Sequence, residues 1–317
     1  MSVGLMTSSE LIEAVKRRAF IPNTQPALSD DDILRFINEE MSDSVIPLIM
    51  SMHEEYFLTT AQISLVANKQ NYKIPYRAIG RKLRDVKRTD SYGNLYAMTR
   101  IDPAQRDFFE DGNGGQPSTF YLRGDEIVLM DKLTTVSDMA LELMYYLKPN
   151  ELVLEKRVGT ITAIDLNTGV ITLAKVPTNF AIGSTIDFLE AKFGNRTLGF
   201  DASISNIDQT GLTVTVAPAS IPADLVVGDY IALAGECIIP QIPVEMHSIL
   251  AERAAARCLA SLGDANGVAQ SNAKINDMEG RVSAMIDTRT EGQPQKINNL
   301  NSLLRRGSIG RRGRGVF

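Results

Sequence analysis

The 317-residue chain has no tryptophan, two cysteines and two histidines, and each scarcity removes a class of function. Cys237 and Cys258 fall in segments that read as a strand end and a helix, so neither a disulfide framework nor a zinc site is implied. His53 and His247 lie far apart in sequence, with no HExxH, HxH or Cys/His cluster around either. His53-Glu54-Glu55 comes nearest to a constellation, but three consecutive helical residues point in different directions, and the plain reading is a solvated helix end. No apolar run approaches the roughly 18 residues needed to cross a bilayer. Met1 to Glu13 lacks a basic segment followed by an apolar one, so neither a membrane span nor a signal peptide is expected. Synthesis in a reducing cytoplasm is the default, which leaves the Asn195-Arg196-Thr197 sequon without weight.

The recognisable catalytic signatures are missing too. There is no GxxxxGK[ST], no GxGxxG after a strand and no GxSxG elbow. Asp111-Gly112-Asn113-Gly114-Gly115 and Asp165-Leu166-Asn167-Thr168-Gly169 imitate calcium loops, yet both lack the later ligands of a real one, and turn chemistry explains them. No catalytic residue, cofactor or metal is expected.

What is present is ordinary globular material. Apolar residues make up 44% and charged residues 22%, enough to bury a core and to exclude wholesale disorder, and the length suits two or three folded units. The net charge of −5 is unevenly spread. From Gly292 to Phe317 there are six basic residues and no acidic one, leaving −11 on the rest of the chain. Such asymmetry points to an anionic partner for the tail or to a solvated tail.

Ser9 reads as an N-cap, followed by Leu11, Ile12, Val15 and Ala19 at helical spacing, with a stop before Pro22. Ser29 starts a second helix with Asp30, Asp31 and Asp32 in its first turn. Ile33, Ile37, Met41, Val45, Leu48 and Met52 form its apolar stripe to about Tyr56, and Pro47 predicts a kink. These two helices are expected to pair as a hairpin.

After Thr59 the pattern turns to short β-rich runs: 63–66, 72–74, 83–87, 95–100, 119–122, 126–130 and 140–147. One antiparallel sheet is the economical reading, with hairpin turns at Tyr92-Gly93-Asn94 and Arg123-Gly124-Asp125-Glu126. From Val158 to Gly235 the sequence repeats. Gly159 to Asp165 matches Ala202 to Asp208, Thr168-Gly169-Val170 matches Thr210-Gly211-Leu212, and Gly183 to Ile186 matches Gly228 to Ile231. Two β-meanders imply a small barrel or sandwich, since a lone hairpin cannot bury both faces.

Helical spacing returns after Pro243 through an alanine-rich stretch, with a break near Gly263-Asp264 and a further helix over 273–286. Beyond Glu291 the Gly, Asn, Ser and Arg composition cannot bury a core. Arg305, Arg306, Arg311, Arg312 and Arg314, with Ile309 and Phe317, form the most distinctive local feature. Fixed positive charge on a flexible backbone suits phosphate or an acidic protein surface. Phe317 is its single aromatic, so base stacking is poorly supported. Docking into a protein partner outweighs nonspecific DNA contact or an idle tail.

Taken in order, these residues resemble the head-to-tail adaptor (connector, or head-completion) proteins of tailed bacteriophages. The likeness rests on Ser9 to Glu13, Lys16-Arg17-Arg18, Ile21-Pro22, Ser29 to Leu34, Asn38 to Met41, Ile46 to Ile49 and Glu54-Glu55-Tyr56. It continues through Ile74 to Gly80, Leu83 to Val86, Gly124 to Leu129 and Tyr145 to Val153. The resemblance implies a virion structural protein of the neck or tail region, assembled in the host cytoplasm. It further implies a ring, commonly of twelve copies, below the portal protein, with tail or nozzle proteins beyond and DNA passing through the lumen. Arg305, Arg306, Ile309, Arg311, Arg312, Arg314 and Phe317 would then be the portal-binding residues. Smaller members of the group are almost wholly helical, so the repeated β insert departs from the simplest pattern. A tail-tube or gatekeeper subunit, and a nucleic-acid-binding protein acting through its arginines, are the alternatives.

The expected fold class is α+β. Helices over 1–60 and 240–290 form a helical core, 61–150 an antiparallel β region, 151–239 an inserted barrel or sandwich with an internal repeat, and 291–317 a flexible basic tail.

Overall fold

The computed structural model describes residues 5–22, 28–108, 116–131, 133, 138–192 and 196–286. The fold is α+β, with helices, several sheets and a closed six-stranded barrel.

Thr7 caps the first helix, α1 (Ser8–Arg18), by accepting the Glu10 N–H while the Glu10 carboxylate accepts the Thr7 N–H. The cap falls before the expected Ser9 because Thr7 has a glutamate three residues on, where Ser9 has Ile12. Ser29 caps α2 (Asp30–Glu40) through the same reciprocal arrangement with Asp32. Instead of one kinked helix, the chain widens into a π segment (Met41–Val45) before α3 (Ile46–Met52), then tightens into a 3₁₀ turn (Glu54–Phe57). Pro47 has no N–H to offer the carbonyl four residues back, and the wide turn absorbs that loss ahead of it.

The axle of the helical layer is α4 (Val244–Ser261), whose Ile249, Leu250, Ala251, Ala254, Ala255 and Cys258 are fully buried. Both α1 and α2 lie chiefly against α4, so the expected α1–α2 hairpin is a minor contact. Alanine side chains let those helix axes approach closely. Gly263, at φ 79°, reverses the chain, and α5 (Ala265–Ile286) returns along α4, starting eight residues before its expected onset. Asp264 accepts the Gly267 N–H at 2.9 Å and so starts α5 early.

The β region is two four-stranded sheets rather than one. The first runs β1 (Leu58–Ser64), β8 (Ala140–Leu147), β3 (Ala78–Thr89), β4 (Leu95–Ala97). The second runs β2 (Asn71–Lys73), β7 (Glu126–Leu129), β6 (Thr119–Arg123), β5 (Thr99–Arg100), with β5 and β6 parallel. They share one core, in which Val86, Leu141 and Leu143 meet Phe120, Ile127 and Leu129. The expected single run over 95–100 breaks at Met98, which dives into that core while its neighbours stay exposed. There the chain crosses from one sheet to the other.

The barrel comprises β10 (Gly159–Asp165), β11 (Val170–Leu173), β12 (Thr185–Leu189), β13 (Thr197–Asp208), β14 (Thr213–Val216) and β15 (Tyr230–Leu233), closed in the order β10-β11-β14-β13-β12-β15. Exchanging the first three strands for the second three leaves the set of paired strands unchanged. Gly169 (φ 73°) turns the first hairpin so tightly that a Cβ there would lie 2.1 Å from the Val216 carbonyl oxygen. The chain enters the barrel after β9 (Glu151–Leu152) and leaves into β16 (Glu236–Cys237), and these two pair in parallel.

Candidate functional site

The residues singled out by charge, Arg305, Arg306, Ile309, Arg311, Arg312, Arg314 and Phe317, lie outside the described residues, as does the 111–115 loop. Among the described residues, hydrogen-bonded charge ties the elements together. Two polar clusters do most of this.

The first joins the helices. Glu39 and Glu40 end α2 and Asp43 follows, so three carboxylates gather where one helical face meets α4. Arg257 answers them, with Nη1 2.7 Å from Glu39 and Nε bonded to Glu40, and Asp43 at 3.9 Å. The hydrogen bond to Glu40 holds the Arg257 pKa above its ordinary value. Arg253, one turn earlier, reaches Glu40 at 3.5 Å and pairs with Glu279 on α5. On another face of α4 the buried Glu252 lies 3.6 Å from both Arg18 of α1 and Lys274 of α5. Thus α5, the helix that carries the chain toward its basic tail, is pinned to α4 by charge on both sides.

The second cluster joins the β modules. Arg77, just before β3, forms a bidentate pair with Asp187 of β12, both contacts 2.8 Å, and a third contact with Asp201 of β13 at 2.8 Å. Asp187 has no exposed surface. Its carboxylate accepts five hydrogen bonds: two from Arg77, and one each from Asn150 Nδ2, the Asp201 N–H and the Gly235 N–H. Burial alone would lower the Arg77 pKa, but the hydrogen bonds and charges of Asp201 and Asp187 outweigh it and hold it above its ordinary value. Phe200 and Tyr76 flank the guanidinium at 5.0 and 5.2 Å. A cleft of about 460 Å³ opens beside this hub, lined by Arg35, Asn38 and Asp43 on the helical side and by Tyr76, Lys148 and Glu151 opposite.

Neither histidine belongs to either cluster. His53 ends α3. His247 is fully buried in α4, and its Nδ1 accepts the Met6 N–H at 3.3 Å. Burial lowers its pKa, more than the neighbouring Ile242 and Pro240 backbone raises it. Cys258 is pushed up to about 11 by burial, and Cys237 is pushed higher still. Among the described residues no three His, Cys, Asp or Glu side chains group as metal ligands.

Sequence reasoning missed the Arg77 hub. One signal was available: Asp187 interrupts the apolar run Ile186-Asp187-Phe188-Leu189, and a carboxylate in such a run needs a partner. Nothing local names Arg77 as that partner, 110 residues away.

These features define an α+β protein whose helices are tied to one another by ion pairs and whose sandwich and barrel are joined by buried charge. The model of the SU10 adaptor protein family matches residues 6–175, more than half of the chain. The chain belongs to this family of bacteriophage head-to-tail adaptors. The matched stretch spans α1 to α3, the whole sandwich and the first barrel hairpin, and it ends just after β11. No curated protein matches the chain.

Proposed function

We propose that this adaptor forms a ring below the portal protein, docks by its C-terminal tail, and connects the DNA-filled head to the tail. The observation that carries the reading is the family match over 6–175. Charge supports the details. A tail of six cations on a body of −11 suits anchoring into an acidic or backbone-lined groove on the portal, while the acidic remainder lets DNA slide without sticking. Arg305, Arg306, Ile309, Arg311, Arg312, Arg314 and Phe317 are the residues proposed to dock.

The chain works as a structural subunit of the neck, without catalysis, assembled in the host cytoplasm in twelve copies. Its helical core lines the ring, and the repeated barrel is an inserted platform facing tail or nozzle proteins. Ordering the tail consumes conformational entropy that only docking offsets, so the free chain is monomeric until the portal templates it. Full-length chain and chain ending at Leu304 are mixed with assembled portal and separated by size. The full chain should co-elute with portal and the shortened one should not. Equal binding by both removes the tail from the docking role, and loss of DNA retention alone favours the nucleic-acid reading.

A further inference from the structure

A sheet in a monomer ends in two edges, and each presents unpaired N–H and C=O groups to any strand that arrives. Proteins ordinarily guard such edges with charge, proline, bulges or brevity. The first sheet of the sandwich guards its edges very unequally. At one end lies β1, seven residues long, Leu58-Thr59-Thr60-Ala61-Gln62-Ile63-Ser64, with no charge, proline or glycine. It pairs residue for residue with β8 without a bulge, and among the described residues no other strand pairs with it. Alternate residues therefore turn their backbone polar groups outward.

The opposite end shows the contrast. There the outer strand is β3 up to Val86, and it carries Arg81, Lys82, Arg84 and Asp85 and two register shifts against β8. That stretch is protected. Beyond it β4 covers β3, and β4 is bare again: Leu95-Tyr96-Ala97, uncharged and exposed along its whole length. Tyr92 at the hairpin tip is 89% exposed, Leu95 49% and Tyr96 46%. Asp90 holds this tip in shape by accepting from the Tyr92 and Asn94 N–H groups, the Asn94 amide and the Tyr96 hydroxyl, at 2.8–3.1 Å. A rigid hairpin displaying two tyrosines and a leucine has the composition of an interface anchor.

We propose that β4 of one copy adds to the free edge of β1 in the next copy, so that the sheet continues from subunit to subunit around the ring. The occupant of the β1 edge is a second copy of this chain because the two bare edges match in charge, are opposite ends of one sheet, and flank a stretch that is defended. A head-to-tail contact of two different surfaces closes into a ring when its rotation permits, whereas β1 pairing with β1 would stop at a dimer. The inference rests on the ring reading above and names its interface. Three residues of β4 make a small contact, which is consistent with assembly that waits for a template.

The test places a photo-reactive benzophenone side chain at position 96 of the full chain, mixes isotopically heavy and light copies, assembles them on portal and irradiates. The expected product is a cross-link between heavy and light copies that joins position 96 to the peptide holding 58–64. A second variant, Gln62→Lys, keeps the result interpretable if the first folds poorly. Its circular dichroism should match that of the unaltered chain, and its ring yield should fall at least tenfold. Rings that form with cross-links elsewhere, or a Gln62→Lys chain that assembles normally, overturn the edge pairing and leave the ring reading standing. Absence of any ring in the unaltered protein overturns both.

Discussion

Arg77 and Asp187 meet through two contacts of 2.8 Å although 110 residues separate them, and the pair holds the sandwich to the barrel. Removing one partner strands the other charge in a buried site, which typically costs about 3–5 kcal/mol. Asp187→Ala also orphans the Asp201 and Gly235 N–H groups, so it should fall at the upper end of that range in urea unfolding. Arg77→Met should cost nearly as much. The double variant should lose clearly less than the sum of the two, and additivity would mean that the pair does not couple the modules.

The barrel gives a test based on backbone geometry. Gly169→Ala forces a Cβ against the Val216 carbonyl as well as a left-handed conformation on alanine, and should destabilise the protein by more than about 2 kcal/mol. At Gly183, also at positive φ (86°), nothing lies within 4 Å of the added Cβ. Only the conformational cost of about 1–2 kcal/mol should then appear. Thermal unfolding of the two variants side by side separates the close approach from the dihedral.

His247 confers a pH dependence whose sign follows from its burial. Its folded-state pKa lies below the ordinary value of about 6.5, so as pH falls the unfolded chain takes up the proton first. Its stabilising contribution is therefore complete above about pH 6.5 and is lost as pH falls toward the folded value, by up to about 1.4 kcal/mol per pH unit. Protonated Nδ1 could no longer accept from Met6. Melting temperature should drop between pH 7.5 and 5.5, and His247→Gln should flatten that slope.

Much of this architecture was legible because it is local. Ser29 with Asp32, the short β-rich runs of β6, β7 and β8, the turn at Gly124 and the break at Gly263 each declare themselves within a few residues. The closed barrel was readable as one of two options from its matching meanders. Legibility ended where distant residues decide. Met98 divides one apparent strand between two sheets because of a core built from elsewhere, α1 and α2 prefer α4 to each other, and Arg77 acquires its meaning from Asp187. The tail residues proposed to dock stand apart from all of these, since their assignment rests on charge and they lie outside the described residues.

Close helix approach around α4 should be intolerant of added volume. Ala251, Ala254 and Ala255 have no exposed surface, so Ala255→Leu should cost about 1–3 kcal/mol by overpacking. Ala260, exposed near the end of the same helix, should accept leucine with a change below about 0.5 kcal/mol. Denaturant titrations of the two variants provide the comparison.

The proposed role is that of a ring joining head to tail. Electron microscopy of purified portal mixed with the full chain tests it most directly. The expected image is a closed ring of twelve copies seated on the tail-facing end of the portal, with the basic tails entering it. Portal particles left bare while the chain stays free, or stacks into a tube without portal, would contradict it.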